Sequence, residues 1–103
     1  MVIIRREVGD VLRERRRHQG RTLRQVSSDA AVSLGYLSEV ERGEKEASSE
    51  MLATICRALE LPVSQMLNDV AVRVAIAEAE EAVNVPDSPA NMPPGGPPEQ
   101  MLR

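Results

Sequence analysis

The sequence predicts an all-α protein with five helices, the last of them extended, followed by a tail. Apolar residues recur every three or four positions over most of the first 83 residues, which is the period of a helix. Hydroxyl residues suited to N-caps precede several of these segments. The chain has no Phe or Trp and a single Tyr, so the predicted core is aliphatic.

The first helix is predicted at about residues 5–19. Val8, Val11 and Leu12 fall on one face, and Gly20 provides the stop. The last turn carries several cations, which suits the helix dipole. These cations are either phosphate ligands or a solvated face: Arg13, Arg15, Arg17 and His18.

The second and third helices are separated by a very short turn. Thr22 and Gln25 form a capping box that starts the second helix, which ends near residue 30 or 31. Ser33 caps the third helix, and Gly43 ends it after about residue 42. Because only two or three residues separate the two helices, we expect them to cross at a steep angle.

A fourth helix is predicted from Ser48 or Ser49 to about residue 60, with Cys56 on its apolar face. A fifth helix starts near Pro62 and runs to about residue 83. Apolar residues on the fifth helix form two stripes on opposite sides. The stripe expected to pack on the domain comprises Val63, Leu67, Val70, Val74 and Ala77, and the stripe expected to dimerise comprises Val72, Ile76, Ala79 and Val83. A helix that is apolar on two sides needs two burials, and the second is most simply a partner subunit. The alternative is a frayed helix end with scattered apolar residues.

Residues 84–103 contain six of the seven prolines and show no periodicity, so a disordered Pro/Gly-rich tail is predicted there. It is either a passive end or a handle for a protease. The predicted organisation is therefore a helical domain at 1–70, a dimerisation helix at 62–83 and the tail at 84–103.

Charge is distributed unevenly along the chain. Residues 1–45 hold ten Lys/Arg and seven Asp/Glu, whereas residues 46–103 hold three and nine. A mildly basic N-terminal half is compatible with nucleic acid. The sequence has no apolar signal region and no membrane-length apolar run, so a cytoplasmic protein is expected. With a single Cys and a single His, no metal site, cofactor or enzyme activity is predicted.

Two short capped helices joined by a tight turn make a helix-turn-helix, in which the start of the later helix, the recognition helix, enters the DNA major groove. The recognition helix is here the third predicted helix, so the domain at 1–70 is predicted to bind DNA. Gly35 lies in that first turn, although glycine weakens a helix by about 1 kcal/mol relative to alanine. We therefore interpret Gly35 as a position where DNA approaches the backbone closely.

The segment TLRQVSSDAAVSLGYLSEVERG, residues 22–43, resembles the phage-repressor-like (Cro/C1, or XRE) helix-turn-helix family. Eight positions match the family pattern: Thr22, Val32, Ser33, Tyr36, Leu37, Ser38, Glu41 and Gly43. Ser27 replaces the usual alanine, and Ala31 replaces the usual glycine of the turn. The resemblance covers about residues 5–70 and implies a five-helix lambda-repressor-like domain that binds double-stranded DNA.

The segments GRTLRQVS, SLGYLSEVERGEKEASSEML and ICRALELPVS are similar, more narrowly, to actinobacterial regulators of Clp protease genes. That likeness implies a homodimer on a palindromic operator that activates genes for Clp peptidase and related proteostasis proteins. An activator also has to contact RNA polymerase, and members of the family are themselves substrates of Clp protease.

The resemblance assigns roles to individual positions. Base edges are expected to meet Leu34, Gly35 and Glu39, with Tyr36 at the groove wall. Glu39 would accept a hydrogen bond from cytosine and Leu34 would meet a thymine methyl group, although Glu39 could instead be solvated or repel wrong sites. Phosphate contacts are expected from Arg21, Thr22, Arg24, Ser33, Ser38, Arg42 and Lys45. Arg16 and Glu41 are expected to form a salt bridge that orients the recognition helix.

A second hypothesis belongs to another class of protein. An antitoxin-like or adaptor protein would bind a protein partner through its fifth helix or tail and would repress its own promoter. It should co-purify with a partner encoded beside it, whereas a dedicated regulator should not.

Overall fold

The computed structural model describes residues 1–84, which form five α-helices and no strand. The helices are α1 (Ile4–His18), α2 (Leu23–Ala30), α3 (Leu34–Glu41), α4 (Ser49–Ala58) and α5 (Val63–Asn84). The all-α prediction with an extended last helix is confirmed, and each predicted helix end lies within about two residues of the observed one.

Side-chain caps set the starts of the three middle helices. The Thr22 hydroxyl accepts from the Gln25 backbone N–H at 3.0 Å, and the Gln25 side chain accepts from the Thr22 N–H at 2.8 Å. Ser33 and Ser48 each accept a hydrogen bond from the backbone three residues ahead. Each cap satisfies a donor that has no partner inside the helix, which stabilises the helix by about 1 kcal/mol.

The core lies between all five helices and is aliphatic, as the composition predicts. Leu12, Leu37 and Ile55 have no exposed surface, and Cys56 is buried beside them. Each such Leu or Ile contributes roughly 1.5–3 kcal/mol by burial. The remaining buried core residues are Val11, Val26, Val40, Leu59, Leu61, Met66 and Val70.

Gly9 lets α1 lie directly against the end of α3. A Cβ atom at this position would stand 2.5 Å from the Glu41 carbonyl oxygen and 2.6 Å from the Val40 carbonyl oxygen. Both are backbone atoms that cannot move aside, so any larger residue would push α3 away from α1. This role of Gly9 was not predicted from the sequence.

The prediction of which α5 residues pack on the domain was partly wrong. Met66 is 1% exposed and Val70 is buried, whereas Leu67 is 56% exposed and Val63 also faces outward. Successive helical residues are 100° apart, so a rotation of α5 by a fraction of that angle brings Met66 inward and turns Leu67 outward while Val70 stays buried. The broad apolar arc of this helix did not determine its rotation.

Arg73 joins α5 to α1 through three carboxylates. Its guanidinium lies 3.0 Å from Glu7 Oε1, 2.9 Å from Asp10 Oδ2 and 3.0 Å from Glu14 Oε2. These acids occupy one face of α1 at helical spacing. The cluster therefore fixes the direction of α5 relative to the rest of the domain.

Two further sequence predictions concern the chain outside this core. The predicted tail lies outside the described residues, except Asn84, which is the last residue of α5. No helix in residues 1–84 combines the length and the apolar character needed to cross a bilayer.

Candidate nucleic-acid interface

The turn between α2 and α3 is closed by the backbone. Ala31 ends α2 in the left-handed conformation, with φ 56° and ψ 42°. The Val32 N–H donates to the Ser27 carbonyl oxygen at 3.0 Å, which seals the end of α2. Alanine thus adopts the conformation that glycine favours, at a cost of roughly 1–2 kcal/mol.

The first turn of α3 exposes bare backbone at Gly35. Gly35 is exposed, and no atom lies within 4 Å of where its Cβ would be. The protein itself therefore does not require glycine at this position. Leu34 is half-buried beside it, and Tyr36 is half-buried against the core. The Tyr36 N–H donates to the Ser33 hydroxyl, so the cap and the first turn form one rigid unit.

Glu39 and Lys45 face each other along the exposed side of α3. The Lys45 Nζ lies 3.5 Å from Glu39 Oε1 and 5.9 Å from the centre of the Tyr36 ring. Both charged side chains are about half exposed. Lys45 therefore draws the carboxylate of Glu39 toward the C-terminal side of the surface.

Arg42, Ser38 and Glu44 form a hydrogen-bonded group at the end of α3. Arg42 donates to both carboxylate oxygens of Glu44, each at 3.0 Å, and its remaining nitrogen donates to the Ser38 hydroxyl. The hydrogen bonds from Arg42 lower the pKa of the Glu44 carboxyl below its ordinary value. Glu44 was not predicted from the sequence to be part of this surface.

The two arginines around α2, Arg21 and Arg24, differ in whether their side chains are already bound by other groups of the protein. Arg21 is held by the protein, because it donates to the Ala58 carbonyl oxygen at 2.7 Å and is paired with Asp29. Arg24 is exposed, and no hydrogen bond or ion pair of its side chain occurs within residues 1–84. Arg24 is therefore better placed than Arg21 for a phosphate. The Thr22 hydroxyl accepts its cap bond and retains its own proton for donation.

Arg16 and Glu41 form a buried bidentate ion pair. Arg16 Nε lies 2.8 Å from Glu41 Oε2, and Arg16 Nη2 lies 2.9 Å from Glu41 Oε1. The third nitrogen donates to the Arg21 carbonyl oxygen at 3.0 Å. The side chains are 13% and 6% exposed, respectively. The hydrogen bond to Glu41 raises the pKa of Arg16 above its ordinary value. This pair links α1, the start of α2 and the end of α3.

Two of the α1 arginines offered as phosphate ligands bind the protein instead. Arg15 Nη2 donates to the Glu60 carbonyl oxygen at 2.9 Å, beyond the end of α4. Arg13 donates to the Glu41 carbonyl oxygen at 3.2 Å, at the end of α3. Both therefore satisfy carbonyl groups at helix ends, while Arg17 and His18 are exposed.

An apolar strip runs along the outer side of α5. Val72 is 51% exposed, Ile76 is 56% exposed and Val83 is 81% exposed, with the exposed Ala79 between them. Ile76, Ala79 and Val83 line a shallow hollow together with Glu80. Large exposed apolar side chains at helical spacing on one side of a long helix are typical of a contact surface. We call Val72, Ile76, Ala79 and Val83 the outer strip.

Comparison with known proteins shows the family to which the chain belongs. A family model described as a helix-turn-helix domain matches residues 7–67. The transcriptional regulator ClgR of Mycobacterium tuberculosis strain H37Rv is 60% identical over 76 residues, which is 74% of this chain and 68% of that protein.

Two solved structures extend the comparison. The clp gene regulator ClgR from Corynebacterium glutamicum has a TM-score of 0.75 at 43% identity, over 80% of this chain and 87% of that one. The restriction-modification controller protein C.Esp1396I, a tetramer in complex with its natural 35 base-pair operator, has a TM-score of 0.61 at 17% identity, over 69% and 99%. The latter likeness shows the fold alone. The resemblance inferred from the sequence is confirmed, and the chain belongs to the ClgR family of DNA-binding helix-turn-helix transcriptional regulators.

Proposed function

We propose that this chain is a homodimeric activator of genes for Clp protease and related proteostasis proteins, acting on a palindromic operator. The observation that carries the proposal is the first turn of α3, where exposed Gly35 has empty space around it and the Ser33 cap fixes the backbone. The Corynebacterium relative is a clp gene regulator, which supports the choice of target genes.

The base-reading surface comprises Leu34, Gly35, Tyr36 and Glu39. Gly35 lets the backbone approach the base edges, and Leu34 meets a thymine methyl group. Tyr36 lies against the groove wall. Glu39 accepts a hydrogen bond from a cytosine amino group, a contact that discriminates by roughly 1–3 kcal/mol when well formed.

Phosphate contacts position this surface on the duplex and carry no base information themselves. Helix N-termini add partial positive charge, which favours a phosphate near the caps of α2 and α3. Arg21 would have to leave Asp29 to take part, so we expect it to contribute less than Arg24. The proposed phosphate ligands are Arg21, Thr22, Arg24, Ser33, Ser38, Arg42 and Lys45.

The outer strip is the proposed contact between two copies. A two-fold dimer places two recognition helices on successive turns of one face of the duplex, about 34–36 Å apart, so it reads half-sites about 10–11 bp apart. Ile76→Asp places a charge in the strip and should convert the dimer to a monomer, measured as mass in solution. Ser64→Asp adds the same charge at an exposed site at the start of α5 and should leave the dimer intact.

A dimer that survives Ile76→Asp would contradict this contact. In the proposed dimer, residues 1–70 bind DNA and residues 62–83 join the subunits. RNA polymerase is a further proposed partner, because an activator has to contact it. Clp protease is the other proposed partner and would degrade the regulator. Action on chromosomal DNA in bacteria akin to those of its relatives would place the protein in the cytoplasm.

Footprinting and transcription on one promoter test the function. On a fragment upstream of a clp gene, the full chain should protect two half-sites of one repeat, and transcript from added RNA polymerase should increase. A decrease in transcript would make the protein a repressor. If no clp promoter were protected, the proposed target genes would be rejected.

A further inference from the structure

Three cations of the proposed DNA surface are paired in the free protein with carboxylates of the same surface. Arg42 is paired with Glu44, Lys45 with Glu39 and Arg21 with Asp29. Any duplex that uses these cations has to compete with those carboxylates. The three pairs differ in how directly such competition can act.

The Arg42–Glu44 pair is the strongest competitor for phosphate. Two parallel hydrogen bonds of 3.0 Å join the two planar groups, which is the geometry by which an arginine binds a phosphate. Both side chains remain more than half exposed, so a phosphate can reach Arg42. By contrast, Lys45 makes a single 3.5 Å contact, and Arg21 is also bound to Ala58.

The backbone holds Glu44 in position. Gly43 adopts φ +73°, and the Glu44 N–H donates to the Glu39 carbonyl oxygen at 2.9 Å. A Cβ at residue 43 would lie 2.6 Å from Arg6 Cγ and 2.8 Å from Arg6 Cα, so this turn packs closely against the start of α1. Glu44 therefore follows the recognition helix at a fixed place, beside the residue that it pairs with.

Accepting the proposed function, we infer that Glu44 is an internal competitor for phosphate that sets the protein concentration at which DNA sites are filled. When Arg42 turns to a phosphate, it gives up both hydrogen bonds to Glu44. The released carboxylate then stays beside the DNA backbone, which repels it. Both effects weaken binding, and neither depends on the base sequence.

Glu44→Gln tests this inference, with Glu46→Gln as the matched control. Glu46 lies two residues away, is exposed and forms no ion pair within residues 1–84, so its substitution changes net charge equally. Binding of the full chain to a labelled random-sequence duplex and to a duplex selected from a random pool is measured by fluorescence anisotropy over a range of salt.

We expect Glu44→Gln to tighten binding to both duplexes by the same factor, about threefold to tenfold, because an exposed pair is lost and a repulsion removed. The ratio of the two affinities should not change. Glu46→Gln should change either affinity by less than about twofold. In an Arg42→Gln background, Glu44→Gln should have a smaller effect than in the wild-type chain, because only the repulsion between the carboxylate and the DNA remains to be removed.

Equal effects of Glu44→Gln and Glu46→Gln would overturn the inference, since net charge alone would then explain them. Unchanged or weaker binding by Glu44→Gln would also overturn it. If the wild-type chain and all variants bind neither duplex even at low salt, the proposed function itself fails.

Discussion

Replacing Glu41 with alanine leaves the Arg16 guanidinium without its buried partner. In the native protein two hydrogen bonds of 2.8 and 2.9 Å join the side chains, which are 13% and 6% exposed. Breaking a buried pair on one side costs about 3–5 kcal/mol. Arg16 keeps a hydrogen bond to the Arg21 carbonyl oxygen and some contact with water, so we expect a loss near the lower end, about 3 kcal/mol.

Urea unfolding, followed by helical circular dichroism at one fixed protein concentration, measures this loss. With m of about 1.5 kcal/mol/M, the midpoint should fall by roughly 2 M. Concentration has to be fixed because association would add to apparent stability. The exposed variant Glu44→Ala is the control and should change the unfolding free energy by less than about 1 kcal/mol.

A double variant separates the ion pair from a general packing effect. Arg16→Met combined with Glu41→Leu removes both charges and retains side-chain volume, so its stability should lie within about 1 kcal/mol of wild type. The reasoning would be refuted if Glu41→Ala unfolded at the wild-type midpoint. It would also be refuted if the double variant lost as much unfolding free energy as the separate losses of Arg16→Met and Glu41→Leu added together.

Three further predictions concern the fold. Ala31→Gly should raise the unfolding free energy by about 0.5–1 kcal/mol, because the relief of the left-handed alanine exceeds the cost of a more flexible unfolded chain. Ala75→Gly inside α5 is the control and should lower the unfolding free energy. A lower unfolding free energy for both variants in urea unfolding would contradict this. Ser33→Ala should cost about 1 kcal/mol in the same assay and weaken DNA binding on all sequences, and unchanged stability would show that the cap is unimportant. Burial raises the pKa of the Cys56 thiol, so the contribution of this thiol to stability is fully present below the unfolded pKa of about 8.5 and declines as pH rises beyond it. Cys56→Ala should remove that part of the decline in stability at high pH. A variant whose stability falls with pH in the same way as wild type would count against this.

Local signals made most helix positions predictable from the sequence. The caps Thr22, Ser33 and Ser48 act on N–H groups three residues ahead, so their effect is contained in a short segment. The same holds for the start of the recognition helix. Its exposure follows from one apolar face formed by Leu37 and Val40, both of which are buried.

Interactions between distant segments could not be predicted in this way. The partners of Arg73 lie about sixty residues earlier in the chain, and the contact of Gly9 with the end of α3 depends on how two helices cross. The choice of Met66 over Leu67 for the core depends on the rotation of α5, which both residues fit by type. Arginines at the end of α1 were open to two interpretations, and only the fold shows that Arg15 binds the carbonyl group of Glu60.

Selection of bound duplexes from a random DNA pool, at about physiological salt, tests the central claim most directly. A specific dimer should enrich a two-fold symmetric consensus whose half-sites lie about one helical turn apart. A pool that stays random, with binding that disappears as salt rises, would contradict it, because charge alone would then hold the DNA. The protein would in that case act through a protein partner bound to the outer strip of α5.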